Sequence, residues 1–194
     1  MKKIARYLMT MFSIMALTGC GAKLAEIHLQ SQSRVPGVFQ EMPEGGKPPQ
    51  GYADLVIKAS VKTHLKGYFL LEPKSSPHGG PFYTFVINID GQAKTYEVKG
   101  KEESGPLLDD QGKDSPERGL GMQYAFEKKL RLKAGNHRMF LGIPEEEYSR
   151  EINISLEEGE SYLLHFKPNY RCYRSGQQAF ELGLYGYTVF LNKI

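Results

Sequence analysis

Tryptophan is absent from this chain of 194 residues, and cysteine occurs only twice. Tryptophan is the strongest flat stacking surface, so its absence argues against a dedicated sugar-binding module. Two cysteines, Cys20 and Cys172, are too few for a disulfide-stapled scaffold. The N-terminal apolar stretch, Tyr7 to Leu17, is shorter than the roughly 18 residues that a spanning helix needs. No internal repeat of fixed period occurs, and no stretch of ten or more residues reads as helix. The sequence signatures of enzymes are missing as well: no Gly-x-Ser-x-Gly elbow, no phosphate-binding glycine loop, no His-Glu-x-x-His pair. On these grounds the chain reads as non-catalytic, and no catalytic residue is assigned.

What is present begins at the N-terminus. Lys2, Lys3 and Arg6 precede the apolar stretch, and small residues then lead into Cys20. This three-part layout is that of a secretory signal. Its last four residues, Leu17-Thr18-Gly19-Cys20, resemble the lipobox of bacterial lipoproteins. The resemblance implies that residues 1–19 are a signal peptide, removed by cleavage before Cys20. It also implies that Cys20 is the lipid attachment site, carrying a thioether-linked diacylglycerol and an amide-linked acyl chain of the palmitate type. Several acyl chains hold a protein stably, because each buried CH₂ contributes about 0.8 kcal/mol and one chain alone is marginal. Gly21 occupies the position where aspartate tends to retain lipoproteins in the inner membrane. The expected address is therefore the bacterial cell envelope, with the outer membrane as the default.

The signal segment also explains the charge. Its three basic residues account for the whole formal net charge of +3, which leaves 22 basic against 22 acidic side chains. No electrostatic argument for a nucleic-acid partner or for a polybasic membrane patch survives. With Cys20 committed to lipid, Cys172 has no internal disulfide partner. It reads as a structural thiol, or as an intermolecular or redox-active one whose pKa Arg171 and Arg174 would lower.

Residues 20–51 read as a lipidated N-terminus and flexible tether, with Pro36, Pro43, Pro48, Pro49 and the Gly45-Gly46 pair. Lys23 to Gln30 has the character of a short helix within it. From residue 52 to 194 the pattern has period two. Leu55, Ile57, Ala59 and Val61 alternate with Val56, Lys58, Ser60 and Lys62. Tyr83, Phe85, Ile87 and Ile89 lead to Asp90-Gly91, a hairpin turn. Tyr124, Phe126, Leu130 and Leu132 share one face, and so do Tyr162, Leu164 and Phe166. Tyr68 to Leu71 reads as a short strand, and Gly100 to Gly121 as a long loop. About eight or nine short strands with tight turns predict a mainly β domain, an antiparallel β-sandwich, with a small β-barrel as the alternative.

Val86-Ile87-Asn88-Ile89-Asp90-Gly91, then Leu130 to His137, then Ile152-Asn153-Ile154-Ser155-Leu156 with its Gly159 turn and the Tyr162 strand, form a layout. It is similar to the PEGA and carboxypeptidase-regulatory-like β-sandwiches, and the resemblance covers about half of the mature chain. It implies a non-catalytic accessory domain used in surface assemblies.

The five histidines, His28, His64, His78, His137 and His165, show no ligand spacing with one another or with cysteine. His64 and His78 frame a Pro/Gly-rich loop fourteen residues apart, which is not a known pairing, so no metal ligand and no cofactor are assigned. Asp109 to Asp114 departs from the calcium-loop pattern and reads as a solvated acidic loop. Glu145-Glu146-Glu147 reads as a turn with exposed carboxylates. Tyr170, Tyr173, Tyr185 and Tyr187 suit either strand rims or an interface. The expected function is a lipid-anchored envelope protein that binds a protein partner or supports an envelope assembly. Alternatives are a glycan or small-molecule binder, with a site on Pro77 to Pro81 or Gly100 to Gly121, and an enzyme of unrecognised type.

Overall fold

Alternation at every second residue decides which side of each strand meets its neighbours. A computed structural model describes residues 19–42, 46–109, 111–171 and 178–194. Residues 1–18, most of the expected signal peptide 1–19, lie outside the described residues, as do Pro43, Gly45, Asp110, Cys172, Tyr173, Arg174 and the side chain of Cys20. The described elements are helix α1 (Gly19–Ser31) and ten strands. The strands are β1 (Phe39–Glu41), β2 (Tyr52–Thr63), β3 (Phe82–Ile89), β4 (Gln92–Lys99), β5 (Lys101–Gly105), β6 (Gly119–Lys133), β7 (Gly135–Ile143), β8 (Tyr148–Leu156), β9 (Ser161–Tyr170) and β10 (Leu184–Lys193).

Two sheets face each other as a sandwich, without closing into a barrel. The larger runs β1-β6-β2-β9-β10, with β5 also on β6, and the smaller runs β4-β3-β7-β8. β6 is long enough to carry β1 at Leu130 to Leu132 and β5 at Gly119 to Gln123 along one edge. Every pair is antiparallel except β2 with β9, which run parallel from Asp54 opposite Ser161 to Ala59 opposite Phe166. That exception arises because the turn after β8 carries the chain across to the larger sheet, so β9 starts at the same end as β2.

The core lies between the sheets. Leu55, Ile57 and Val61 of β2 are fully buried, as are Tyr83, Phe85, Ile87 and Ile89 of β3. Aromatic rings bridge the layers: Tyr83 stacks on Tyr124 at 4.0 Å between centroids, and Phe85 on Phe126 at 5.1 Å. Each such pair contributes about 0.5–1.5 kcal/mol beyond its buried area. Lys128 has the inward parity of β6 but bends its amine over the Tyr96 ring at 5.2 Å, which keeps its charge near water.

The segment expected as a tether is docked over much of its length. α1 is longer than the expected Lys23 to Gln30 and lies on the outer face of the smaller sheet. There Ile27 is buried with Val86 and Phe140, and a Cβ on Gly142 would press against the Ile27 side chain. Asn88 donates to the Gln30 carbonyl and side-chain oxygen. β1 then joins the larger sheet, with Phe39 buried. The physical reason is Val86 and Phe140 themselves: they are apolar side chains on the outward parity, and they need a cover.

Two loop expectations also change. Tyr68 to Leu71 forms turns, not a strand, because Leu70 and Leu71 point fully into solvent with no strand to pair. Part of the Gly100 to Gly121 segment is strand, namely β5 and the start of β6, which leaves residues 106–118 as the loop.

The two ends of the sandwich differ. One carries the tight turns at Asp90-Gly91, 133–135 and 157–160. Asp90 and Gly91 both have positive φ, 47° and 92°, as the hairpin turn requires. The other end carries the connections 64–81 and 106–118, the end of β9, the start of β10 and the turn Pro144–Glu146. α1 runs between these ends. Its Glu26 meets Ser149, and Lys23 lies over the Tyr148 ring near the long-loop end, while Gln30 reaches Asn88 beside the Asp90-Gly91 turn. The N-terminus of α1 therefore sits at the long-loop end.

Candidate metal centre

β2 leaves its sheet at Thr63, and the chain returns to β3 at Phe82. The intervening loop folds back on itself at Gly79. Its amide donates to the Thr63 hydroxyl at 3.0 Å, its φ is +67°, and a Cβ there would lie 2.1 Å from the Lys66 nitrogen. Only glycine allows the returning strand of the loop to lie that close. The approach brings His78 against His64, with His78 Nδ1 3.1 Å from His64 Nε2. Glu72, from the middle of the same loop, puts a carboxylate oxygen 3.4 Å from that same Nε2. One donor atom from each of the three residues lies within 4.8 Å of the others.

The surroundings fix these groups. His64 is 3 % exposed at its side chain, and its Nδ1 lies 3.0 Å from the Leu65 carbonyl. Tyr68 stacks beside its ring, and Phe69 meets it edge-on at 4.9 Å. On the far side, His78 Nε2 lies 3.3 Å from Glu146, whose side chain is 4 % exposed. Glu146 also accepts hydrogen bonds from the Tyr83 hydroxyl at 2.8 Å and the Leu184 amide at 3.0 Å. Burial works against ionisation of Glu146, but the hydrogen bond from His78, with the Leu184 and Tyr83 bonds, outweighs it and holds the carboxyl below its ordinary range. Tyr124 anchors the loop from below by donating to the Gly80 carbonyl at 2.7 Å, and burial pushes that phenol up to about 12.

Two imidazoles and one carboxylate, with a second carboxylate behind one imidazole, make a nitrogen–oxygen donor set suited to zinc and its neighbours. Sequence spacing offered no reason to pair His64 with His78. Loop closure at Gly79 does it, and Gly79-Gly80 was the visible trace. Glu72 and Glu146 were missed. Glu146 does not show its carboxylate to solvent as the acidic run suggested; it turns inward, while Glu147 alone of the three is exposed. Glu145 is half-buried, with one oxygen accepting from the Thr84 amide and the other buried without a partner.

The other candidates lie elsewhere. His137 bridges Asp90 and the Lys133 carbonyl at the tight-turn end, His28 of α1 contacts Gln32 just past the helix end, and His165 is half-buried on β9. Asp109 accepts from the amides of Gln111 and Lys113, so it closes its own loop. Tyr170 and Tyr187 hydrogen-bond inward, to Glu117 and the Ser60 carbonyl, and Tyr185 is exposed. A separate cavity of about 380 Å³ lies beneath the 106–118 loop, lined by Pro106, Leu108, Glu117, His165 and Phe190. Behind Glu117, Lys62, 1 % exposed, donates to the Glu117 and Gly119 carbonyls, and burial lowers its pKa. Among the described residues no helix is long and apolar enough to cross a membrane. No family model matches this chain, and no curated protein is similar to it in sequence.

Proposed function

We propose that the chain is a lipid-anchored cell-envelope protein whose β-sandwich is a non-catalytic module for binding another envelope component. The lipobox Leu17-Thr18-Gly19-Cys20 carries this reading. Its likeness to bacterial lipoproteins implies acylation of Cys20, with the outer membrane as the address. The likeness of the domain to PEGA-type sandwiches supports an accessory role, and a fold alone carries no activity.

The docked helix adds a geometric consequence. With the lipid on Cys20, α1 leads straight from the membrane onto the sandwich, and its N-terminus lies at the long-loop end. That end is then held against the lipid surface, and the tight-turn end faces away. Leu70 and Leu71 are fully exposed on the 64–81 loop, between Lys66 and Lys74. This loop shares His78 with the cavity that Lys23 of α1 lines. Exposed leucines between lysines suit an anionic lipid surface better than open water.

Replacement Cys20→Ala tests the anchor: lipid labelling and membrane retention are lost, and an equally lipidated variant sinks the reading. Crosslinking in intact envelopes tests the role, because the reading requires a stoichiometric protein partner. The cavity beneath the 106–118 loop favours a second reading, small-molecule or glycan binding. A monomeric, partnerless protein whose melting temperature rises with a glycan panel would decide for it.

A further inference from the structure

We infer that His64, Glu72 and His78 form a binding site for one zinc-class divalent cation, with His64 Nε2, His78 Nδ1 and a Glu72 carboxylate oxygen as ligands. The argument starts from which ring nitrogens carry protons. The Leu65 carbonyl accepts only, so His64 Nδ1 is the protonated nitrogen when that 3.0 Å bond is made. Glu146 accepts only, so the proton of His78 belongs on Nε2, 3.3 Å away. The two remaining nitrogens, His64 Nε2 and His78 Nδ1, then face each other at 3.1 Å with a lone pair each. Glu72 adds a third electron-rich atom 3.4 Å from His64 Nε2. Three such atoms, in a pocket walled by Tyr68 and Phe69, repel one another unless a positive charge lies between them.

A metal ion fits that requirement in size as well as sign. Bonds of about 2.0–2.1 Å in a tetrahedron put neighbouring ligand atoms roughly 3.3–3.4 Å apart. The 3.1 and 3.4 Å separations from His64 Nε2 are close to that edge length, and the third, between Glu72 and His78, is within 4.8 Å. Each imidazole also has the outer partner that metal-bound histidines use, a carbonyl for His64 and a carboxylate for His78, which fixes the ring and raises its basicity. Two nitrogens and one oxygen favour zinc, cobalt, nickel or copper over magnesium or calcium. Three protein ligands leave the fourth position to water. The ion ties the two ends of the 64–78 segment to its middle and so fixes a loop that has no helix or strand of its own. The site is independent of the lipid anchor.

The test uses the full-length chain purified in detergent, stripped with EDTA and titrated with Zn²⁺ and Co²⁺. One zinc per chain by metal analysis, and the intense visible bands of four-coordinate cobalt without a thiolate charge-transfer band, are expected. Glu72→Gln and His78→Ala lower zinc affinity by about 10-fold or more, the scale on which even outer partners of metal sites act. Glu72→Gln keeps the shape of the side chain, so it carries the test if His78→Ala fails to fold. Substoichiometric zinc overturns the proposal and means that the imidazoles share a proton. A thiolate band overturns it too, as does zinc affinity unchanged in both variants or a preference for Ca²⁺ or Mg²⁺.

Discussion

Asp54 and Glu146 are both carboxylates withdrawn from water, one toward each end of the sandwich, and they are balanced by different kinds of partner. Asp54 on β2 sits directly opposite Arg131 on β6. The guanidinium grips it with two hydrogen bonds, of 2.7 and 3.0 Å, and Lys129 adds a contact at 3.2 Å. Those countercharges are permanent. Glu146 is met by an imidazole, a phenol and a backbone amide. None of these is a fixed cation, so its balance depends on what the two histidines hold between them. The first arrangement is finished by the chain alone and serves the fold. The second is completed by something brought to it, which is what a site needs.

The contrast breaks most visibly at Asp54. Asp54→Asn leaves Arg131 poorly paired and lowers stability by about 3 kcal/mol, the lower range for breaking a buried pair, as read by urea unfolding. Zinc binding is unchanged in this variant. Its pH dependence has a definite sign. Burial works against the ionised Asp54, but the hydrogen bonds and charges of Arg131 and Lys129 outweigh it and depress its folded pKa. A depressed carboxyl contributes stability above its ordinary value near 3.8, and loses it as pH falls through the folded pKa. The gap between the native chain and Asp54→Asn therefore narrows as the solution is acidified below pH 4. A constant gap would mean that Asp54 is not ionised in the fold.

At the other end, Gly79→Ala is the next largest break. A Cβ 2.1 Å from the Lys66 nitrogen, at a φ of +67°, forces the loop open. Strain of this kind costs about 1–3 kcal/mol. The decisive readout is local: zinc affinity collapses while the circular dichroism of the sandwich persists. Retained affinity would show that the His64–His78 approach does not need the glycine.

The same division explains what the sequence could tell. The sandwich was legible because alternation is a local signal: the inward faces of β2, β3, β6 and β9 are the ones that Leu55, Tyr83, Tyr124 and Tyr162 announced. The docking of α1 was legible only in hindsight, in Val86 and Phe140 on an outward parity that polar residues usually fill. The parallel pairing of β2 with β9 left no trace, since each strand reads the same with either neighbour. The metal cluster was the least visible part. Its ligands come from one loop, but their closeness depends on a backbone contact between Gly79 and Lys66 that has no compositional signature. Glu146 comes from another connection altogether.

Glu146→Gln sharpens the comparison from the side of the site. The amide keeps the Leu184 and Tyr83 contacts in part, so stability falls by about 1 kcal/mol, the scale of one hydrogen bond. Zinc affinity falls by about 10–100-fold, as for other partners behind a liganding histidine. A large stability loss with unchanged zinc affinity would make Glu146 a second Asp54, a lock and not a support for the site.

The smallest effect on stability, and the most direct test of which end faces the membrane, uses the absence of tryptophan. Leu70→Trp gives the chain a single indole at the tip of the 64–81 loop, and Tyr52→Trp gives one at the start of β2, at the tight-turn end. Leu70 is fully exposed, so its replacement changes stability by no more than about 0.5 kcal/mol. In the lipidated chain reconstituted into anionic vesicles, the proposed anchoring at Cys20 predicts that the indole at position 70 shifts its emission to the blue and is quenched by brominated lipid. The indole at position 52 keeps the emission it has in detergent-free buffer and escapes the quencher. Quenching at 52 and none at 70 would invert the orientation and put the metal cluster on the side that faces a soluble partner.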